Sequence, residues 1–307
     1  MNSGKIRFSC LHTHTSFCDG KGEVEDFCQS AWKMGLHSLG FSAHAPITKK
    51  TGLPDPCWAE KEQRLDKYME TVSSAKRRWE GRLKIFLGLE VDFLPGLMGP
   101  ADNDYRELGL DYIIGSVHFV MPPKGAPFAV DHRPEKLEQG IREGYGGDPL
   151  PMVEDYYNSV EAMIRGGGFD ILGHPDLVKK NNDKLKLFRE DSDFYKKRCK
   201  AVAGLAAQNK ITIEVNTGSI IRGYFNSPYP SQVMLKLFRE NNVPAVINAD
   251  AHRPEHLGGY YEEGVKALLA AGYDEMFLFE GRNPPENRAG KPGSPVWQKV
   301  SIAGILP

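Results

Sequence analysis

The chain has 307 residues, 40% of them hydrophobic and 26% charged, with 39 basic side chains against 40 acidic ones. That suits one large soluble domain or two ordinary ones, and the even charge balance gives no basic stripe for general nucleic-acid binding. The opening MNSGKIRFSC lacks a secretory h-region, no apolar run approaches the ~20 residues that cross a bilayer, and Cys10, Cys18, Cys28, Cys57 and Cys199 are odd in number without CxxC pairing. A membrane span, a disulfide framework and a cysteine zinc ribbon are therefore not expected, and the expected compartment is the cytoplasm.

In chain order, a short apolar run at 6–11 is followed by an amphipathic stretch at 24–35. Runs at 38–43 and 84–90 flank a helical pattern over 60–80. Further runs at 111–117, 169–173, 211–216 and 244–250 follow, with another helical pattern at 194–210. Brief, nearly continuous apolar segments alternating with amphipathic ones predict parallel strands covered by helices, in βα units that close into a barrel. RGGGF (165–169) precedes a strand and reads as a helix terminator. An eighth run at 275–281 either completes the ring or lies outside it, and the Pro/Gly-rich stretch 282–307 is expected to be an irregular wrap. Two excursions, 120–151 and 177–194, interrupt the alternation. In a βα barrel such insertions sit over the active-site face, so both are expected to be lids on one domain spanning 1–307.

Six of nine histidines fall at or just beyond the carboxyl end of an expected strand. His12 and His14 close the first, His44 the second, His118 the fourth, His174 the fifth and His252 the seventh. Glu90 ends the third, Asp250 the seventh, and Asp19 lies in the loop after the first. All these strand ends share one barrel face, so the residues converge. Buried imidazoles and carboxylates at such density need cations to offset their repulsion, and the donor set suits zinc, manganese or iron. His37 opens the second strand on the opposite face and is expected to be structural, while His132 and His256 are expected to be exposed. Neither a GxSxG elbow nor a GxxxxGK[ST] or GxGxxG phosphate loop is present.

The segments HTHTSFCDG (12–20), FSAH (41–44), GLEVD (88–92), GSVHF (115–119), DILGHPDL (170–177) and NADAH (248–252) resemble, in order, the motifs of the PHP (polymerase and histidinol phosphatase) family over roughly residues 6 to 260. The resemblance implies a distorted (β/α)7 TIM-like barrel of the α/β class with two to three divalent transition-metal ions. It assigns His12, His14, Glu90 and Asp250 to one ion. Glu90 bridges to a second, completed by His118 and His174, and Asp19, His44 and His252 hold a third. Some relatives carry histidine where this chain has Asp19.

EVNTGSIIR (214–222), followed by PYPS (228–231), resembles the histidinol-phosphatase branch, in which an arginine reaches the phosphate; a guanidinium fork matches phosphate oxygens. The implied catalytic residues are Glu90, Asp250 and Arg222, with Arg222, Lys180 and His252 at the phosphate. The implied reaction is hydrolysis of L-histidinol phosphate to L-histidinol and phosphate. Another small phosphomonoester, phosphotyrosine protein, or a non-catalytic polymerase-associated module are the alternatives. Asp92, or acids in the insertions, are candidates to pair with the substrate ammonium.

Overall fold

The computed structural model of the chain describes residues 8–47, 51, 53, 62–284 and 293–303. Seven strands, β1 (Ser9–Cys10), β2 (Ser38–His44), β3 (Lys84–Asp92), β4 (Tyr112–Ser116), β5 (Ile171–Leu172), β6 (Thr212–Asn216) and β7 (Ala245–Asn248), form one sheet in chain order. Every neighbouring pair is parallel. The ring closes through a parallel bridge between Thr13 and Ala251, where the His14 amide donates to the Ala251 carbonyl at 2.9 Å and the Ala251 amide to the His12 carbonyl at 3.0 Å. The result is a barrel of βα units, as the alternation predicts, in the distorted seven-stranded form that the PHP resemblance implies. Strand β1 is shorter than its apolar run, because only two residues keep ladder partners.

The expected helices form at Val24–Met34, Glu62–Arg78 and Asp193–Gln208. The first begins at a reciprocal cap between Glu23 and Asp26 and ends at Gly35 with φ 72°, a left-handed turn that glycine adopts without a Cβ penalty. The RGGGF segment does terminate a helix: Pro149–Gly166 stops there, and Gly167 and Gly168 take positive φ.

One side chain fills the middle of the barrel. The Tyr112 ring lies among Leu11, Phe86, Ile114, Ile171 and Val246, and its hydroxyl donates to the Leu11 carbonyl. Strands β2 and β3 pass it only as glycine, since a Cβ on Gly40 would lie 2.4 Å from the Tyr112 oxygen and one on Gly88 2.6 Å from its ring. Full burial of each large apolar side chain here contributes roughly 1.5–3 kcal/mol.

Residues 275–281 lie outside the ring. Strand β8 (Glu275–Arg282) pairs antiparallel with β9 (Pro295–Ser301), so the segment expected to be an irregular wrap carries a strand; the β-branched and aromatic residues Val296, Trp297 and Val300 suit a strand despite the surrounding Pro and Gly. Residues 285–292 and 304–307 of that segment lie outside the described residues. The hairpin covers the amino-terminal end of the barrel, with Phe279 packed edge-on to Phe86 at 4.8 Å and against Trp297 at 5.1 Å. His37 is structural, as expected: it meets Glu280 of the hairpin at 2.6 Å.

The two insertions meet at the opposite end. The first forms a short ladder between Phe119–Val120 and Phe128–Ala129, then the helix Pro134–Tyr145. The second forms a 3-10 turn, Leu177–Asn181, and the short helix Asn182–Leu185. Lys180 Nζ donates to the Asp131 carbonyl at 2.6 Å and Asn181 Nδ2 to the His132 carbonyl at 2.8 Å, joining them. His132 is exposed, as expected, but His256 is half-buried, because the turn Pro254–His256 packs on the first helix, where Ser30 donates to the Pro254 carbonyl.

Candidate metal centre

Parallel register sets the level of the site. His44 lies opposite Glu90 at the ends of β2 and β3, and Asn216 lies opposite Asn248 at the ends of β6 and β7. The backbone leaves the sheet beyond these points, and the side chains there turn into a cavity of about 200 Å³. All nine residues expected at the site, His12, His14, Asp19, His44, Glu90, His118, His174, Asp250 and His252, come together there in overlapping groups whose donor atoms lie within 4.8 Å of one another.

Glu90 stands at the centre, and its two oxygens face different partners. Oε2 is 3.0 Å from His44 Nδ1, 3.3 Å from His12 Nε2 and 3.5 Å from His14 Nε2. Oε1 is 3.0 Å from His174 Nε2 and 3.7 Å from His118 Nε2. Asp250 Oδ1 reaches His14 Nε2 at 3.4 Å and His12 Nε2 at 3.6 Å. Asp19 meets His252 Nε2 at 3.1 Å and His14 Nδ1 at 3.6 Å.

Two buried carboxylates hold histidines from behind. Glu214 Oε2 lies 3.0 Å from His12 Nδ1, and Asp92 Oδ1 lies 2.8 Å from His118 Nδ1. Each contact places the proton on Nδ1 and turns Nε2 inward as a lone-pair donor, the arrangement of a ligating histidine. Glu214 also accepts from the His174 amide and from the side-chain amides of Asn216 and Asn248, each at 2.9 Å. Asp92 is therefore occupied by His118 and is not placed to pair with a substrate ammonium. Glu214 was not among the expected site residues; its signal was an acid inside the apolar strand TIEVN, whose every position is buried.

The donor set fits divalent cations. His12 Nε2, His14 Nε2, His44 Nδ1, Asp19 Oδ1 and Glu90 Oε2 are buried atoms without a well-formed hydrogen bond among the described residues, a costly arrangement that ligation relieves. Electrostatics point the same way. Burial works to raise the Glu90 and Asp250 carboxyls, but His12, His44 and His118 hold Glu90 well below the usual range, and Arg222 and His12 do the same for Asp250. Burial would lower His118, yet Asp92 and Glu90 outweigh it and push it up to about 10. Burial beside His252 and His44 lowers His14 to about 3, leaving that ring neutral. The carboxylates thus draw positive charge into the cluster, a part that cations fill.

Arg222 forms the adjoining wall. Its Nη2 donates to Asp250 Oδ2 at 2.6 Å and its Nη1 to the Asp250 carbonyl at 3.1 Å. These bonds fix Asp250 at φ 50°, a left-handed conformation that Asp tolerates better than most residues. Lys180, expected at the phosphate, lines the cavity, with its ammonium held by Asp131 and 4.5 Å from the Tyr224 ring centre. Lys179 is buried instead, 3.4 Å from Asp176.

A parallel barrel with a histidine–carboxylate cluster at its carboxyl end and a guanidinium in the same wall is a scaffold for binding divalent cations beside an anionic ligand. The PHP domain family matches residues 11–218, and the chain belongs to that family. It is 30% identical over 262 residues to a Deinococcus radiodurans protein named as a probable histidinol-phosphatase, covering 85% of this chain and 92% of that one. A Listeria monocytogenes crystal structure named as a "putative histidinol phosphatase" superposes with TM-score 0.74 at 23% identity, covering 83% of this chain and 99% of that one. A Lactococcus lactis histidinol phosphate phosphatase, complexed with zinc, L-histidinol and phosphate, superposes with TM-score 0.61 at 16% identity, covering 89% and 97%.

Proposed function

We propose that this protein hydrolyses L-histidinol phosphate to L-histidinol and phosphate, a step of histidine biosynthesis, with two to three zinc, manganese or iron ions held by the nine clustered side chains. The observation that carries this is the position of Arg222, in the cavity wall beside the cluster and bonded to Asp250. The relatives' names and the ligands of the Lactococcus structure supply the substrate.

Bound ions would lower the pKa of a coordinated water toward neutrality and polarise the phosphoryl oxygens. Glu90, with one oxygen toward His12, His14 and His44 and the other toward His118 and His174, would be shared between two of the ions. Asp250 would complete the first ligand set with His12 and His14, and Asp19, His44 and His252 would form the third. Arg222 orients the phosphoryl group and offsets the charge that develops on it; His252 and Lys180 flank the same space. The insertions 120–151 and 177–194 act as lids over a single domain. The cytoplasm is the compartment we assign: no helix among the described residues is long and apolar enough to cross a membrane, and Cys10, Cys18, Cys28 and Cys199 are unpaired.

Elemental analysis of the purified protein, together with kinetics over a panel of phosphate esters, tests this reading. The expected result is two to three transition-metal ions per chain, activity abolished by chelators and restored by divalent ions, and a preference for histidinol phosphate of at least ~100-fold in kcat/KM, about 2.7 kcal/mol. Equal rates across the panel would remove the substrate. Less than one ion per chain, with activity indifferent to prolonged chelation, would remove the mechanism.

A further inference from the structure

The metal cavity does not end at the ligand cluster. A second cavity of about 290 Å³ adjoins it, and Asp131, Lys180 and Tyr224 line both. The acids in the wall of the first cavity are Asp19, Glu90, Asp250 and Asp131. The first three belong to the histidine cluster, so among the described residues Asp131 alone stands outside it, and among them it is also the only acid lining the second cavity. Its position is built. The Val130 amide donates to the His118 carbonyl at 2.8 Å, which ties the first insertion to the end of β4. Lys180 Nζ then engages the Asp131 carbonyl and its Oδ2, at 2.6 and 3.2 Å. Oδ1 takes no hydrogen bond among the described residues.

The ligand chemistry follows from the charges. A phosphoryl group beside the ions and Arg222 directs its ester oxygen, and the alcohol it carries, away from the cluster. Between the two cavities that alcohol meets, among the described residues, Lys180, the Tyr224 ring and the Asp131 carboxylate. An alcohol bearing a protonated amine on the carbon next to its ester carbon, as histidinol does, meets among the described residues of this space the cations Arg222, Lys180, Arg133 and Lys184, neutral groups such as Leu177, Tyr229 and Asn181, and one carboxylate outside the ligand cluster. We propose that Asp131 is the specificity-determining residue of the site: its carboxylate receives the ammonium of a β-amino phosphate ester, and the rest of the leaving group passes over Tyr224 into the second cavity. This deepens the function proposed above and rests on it, but the residue's role can be tested separately from the choice of substrate.

The experiment measures an amine preference: kcat/KM for histidinol phosphate divided by that for its des-amino analogue, 3-(imidazolyl)propyl phosphate, and likewise for 2-aminoethyl against ethyl phosphate. A hydrogen bond to a charged group predicts that Asp131→Asn lowers this ratio by roughly 10- to 100-fold, while des-amino turnover and metal content stay within about twofold. Asp131→Glu should restore part of the ratio, and Lys180→Met, which removes the ion pair but keeps the carboxylate, should leave it intact or raised. A wild-type ratio near one for both pairs overturns the proposal. So does an Asp131→Asn variant that loses amine and des-amino substrates equally, which would make Asp131 a merely structural partner of Lys180. Failure of the substrate reading looks different: histidinol phosphate no better than 2-aminoethyl phosphate, with the amine preference and its dependence on Asp131 still present.

Discussion

Replacing Glu214 by Gln changes one atom in a fully buried side chain, and the structure says what that atom does. Both carboxylate oxygens are acceptors: Oε1 takes the His174 amide and Asn216 Nδ2, and Oε2 takes Asn248 Nδ2 and His12 Nδ1. The amides cannot turn round to suit a glutamine, because Asn216 Oδ1 already accepts from the Gly218 amide and Asn248 Oδ1 from the Leu11 amide. Whichever way the glutamine sits, its NH2 faces donors, and a buried donor left unsatisfied costs about 1–3 kcal/mol. With the NH2 toward His12, relief comes only if the imidazole proton moves from Nδ1 to Nε2. That blocks the lone pair aimed at Glu90 and Asp250. Loss of such a supporting carboxylate typically lowers metal affinity 10- to 100-fold, about 1.4–2.7 kcal/mol. Chelator competition followed by elemental analysis reads that loss, and a thermal melt of the metal-free protein reads the packing cost separately. A Glu214→Gln protein that kept wild-type metal affinity and wild-type melting would refute the claim that this carboxylate sets the His12 tautomer.

Three further outcomes follow from the geometry. Arg222→Ala, which also removes the bonds that fix Asp250, should lose at least roughly a hundred- to a thousandfold in turnover, as for removal of one preorganised donor; near-normal kcat/KM on a phosphate ester would exclude it as the clamp. Glu90→Gln should lower metal content and activity together, since both oxygens face histidines, and full occupancy by elemental analysis would count against a bridging role. Phe279→Ala, at the far end of the barrel, should cost ~3–5 kcal/mol in denaturant unfolding while metal content and kcat stay unchanged; a loss under 1 kcal/mol would show that the hairpin does not cover the core.

The carboxyl-end cluster was legible because parallel strands announce themselves as short apolar runs, and an acid or histidine ending each run falls at a common level. His12, Glu90, His118 and Asp250 are all of this kind. The supporting residues were less visible. Glu214 and Asp92 lie within strands buried on both faces, where an apolar run does not report which side chains point to the barrel axis and which to the helices. Their acids were present in the recognised motifs, but only the fold shows that each faces a histidine rather than the substrate. Strand β9 went unseen for another reason: Pro and Gly on both sides of VWQKV suggested irregular chain, while its pairing with β8 is a long-range fact. His256 shows the same limit, since its partial burial depends on a helix more than 200 residues earlier in the sequence.

The closing bridge between Thr13 and Ala251 has a thermodynamic consequence of its own. It is the thinnest seam of the ring, a single bridge outside any regular ladder, and its two sides carry His12 and His14 on one strand end and Asp250 and His252 on the other. An ion ligated from both sides would act as a rivet between the first and last strands, so that ligation free energy becomes resistance to opening of the cylinder. Amide hydrogen exchange should then be heterogeneous in a particular way. On chelation, protection should fall first at the His14 and Ala251 amides, well before it falls at the β2–β3 ladder, and cofactor depletion should behave as a local unzipping of the barrel before any global loss of structure.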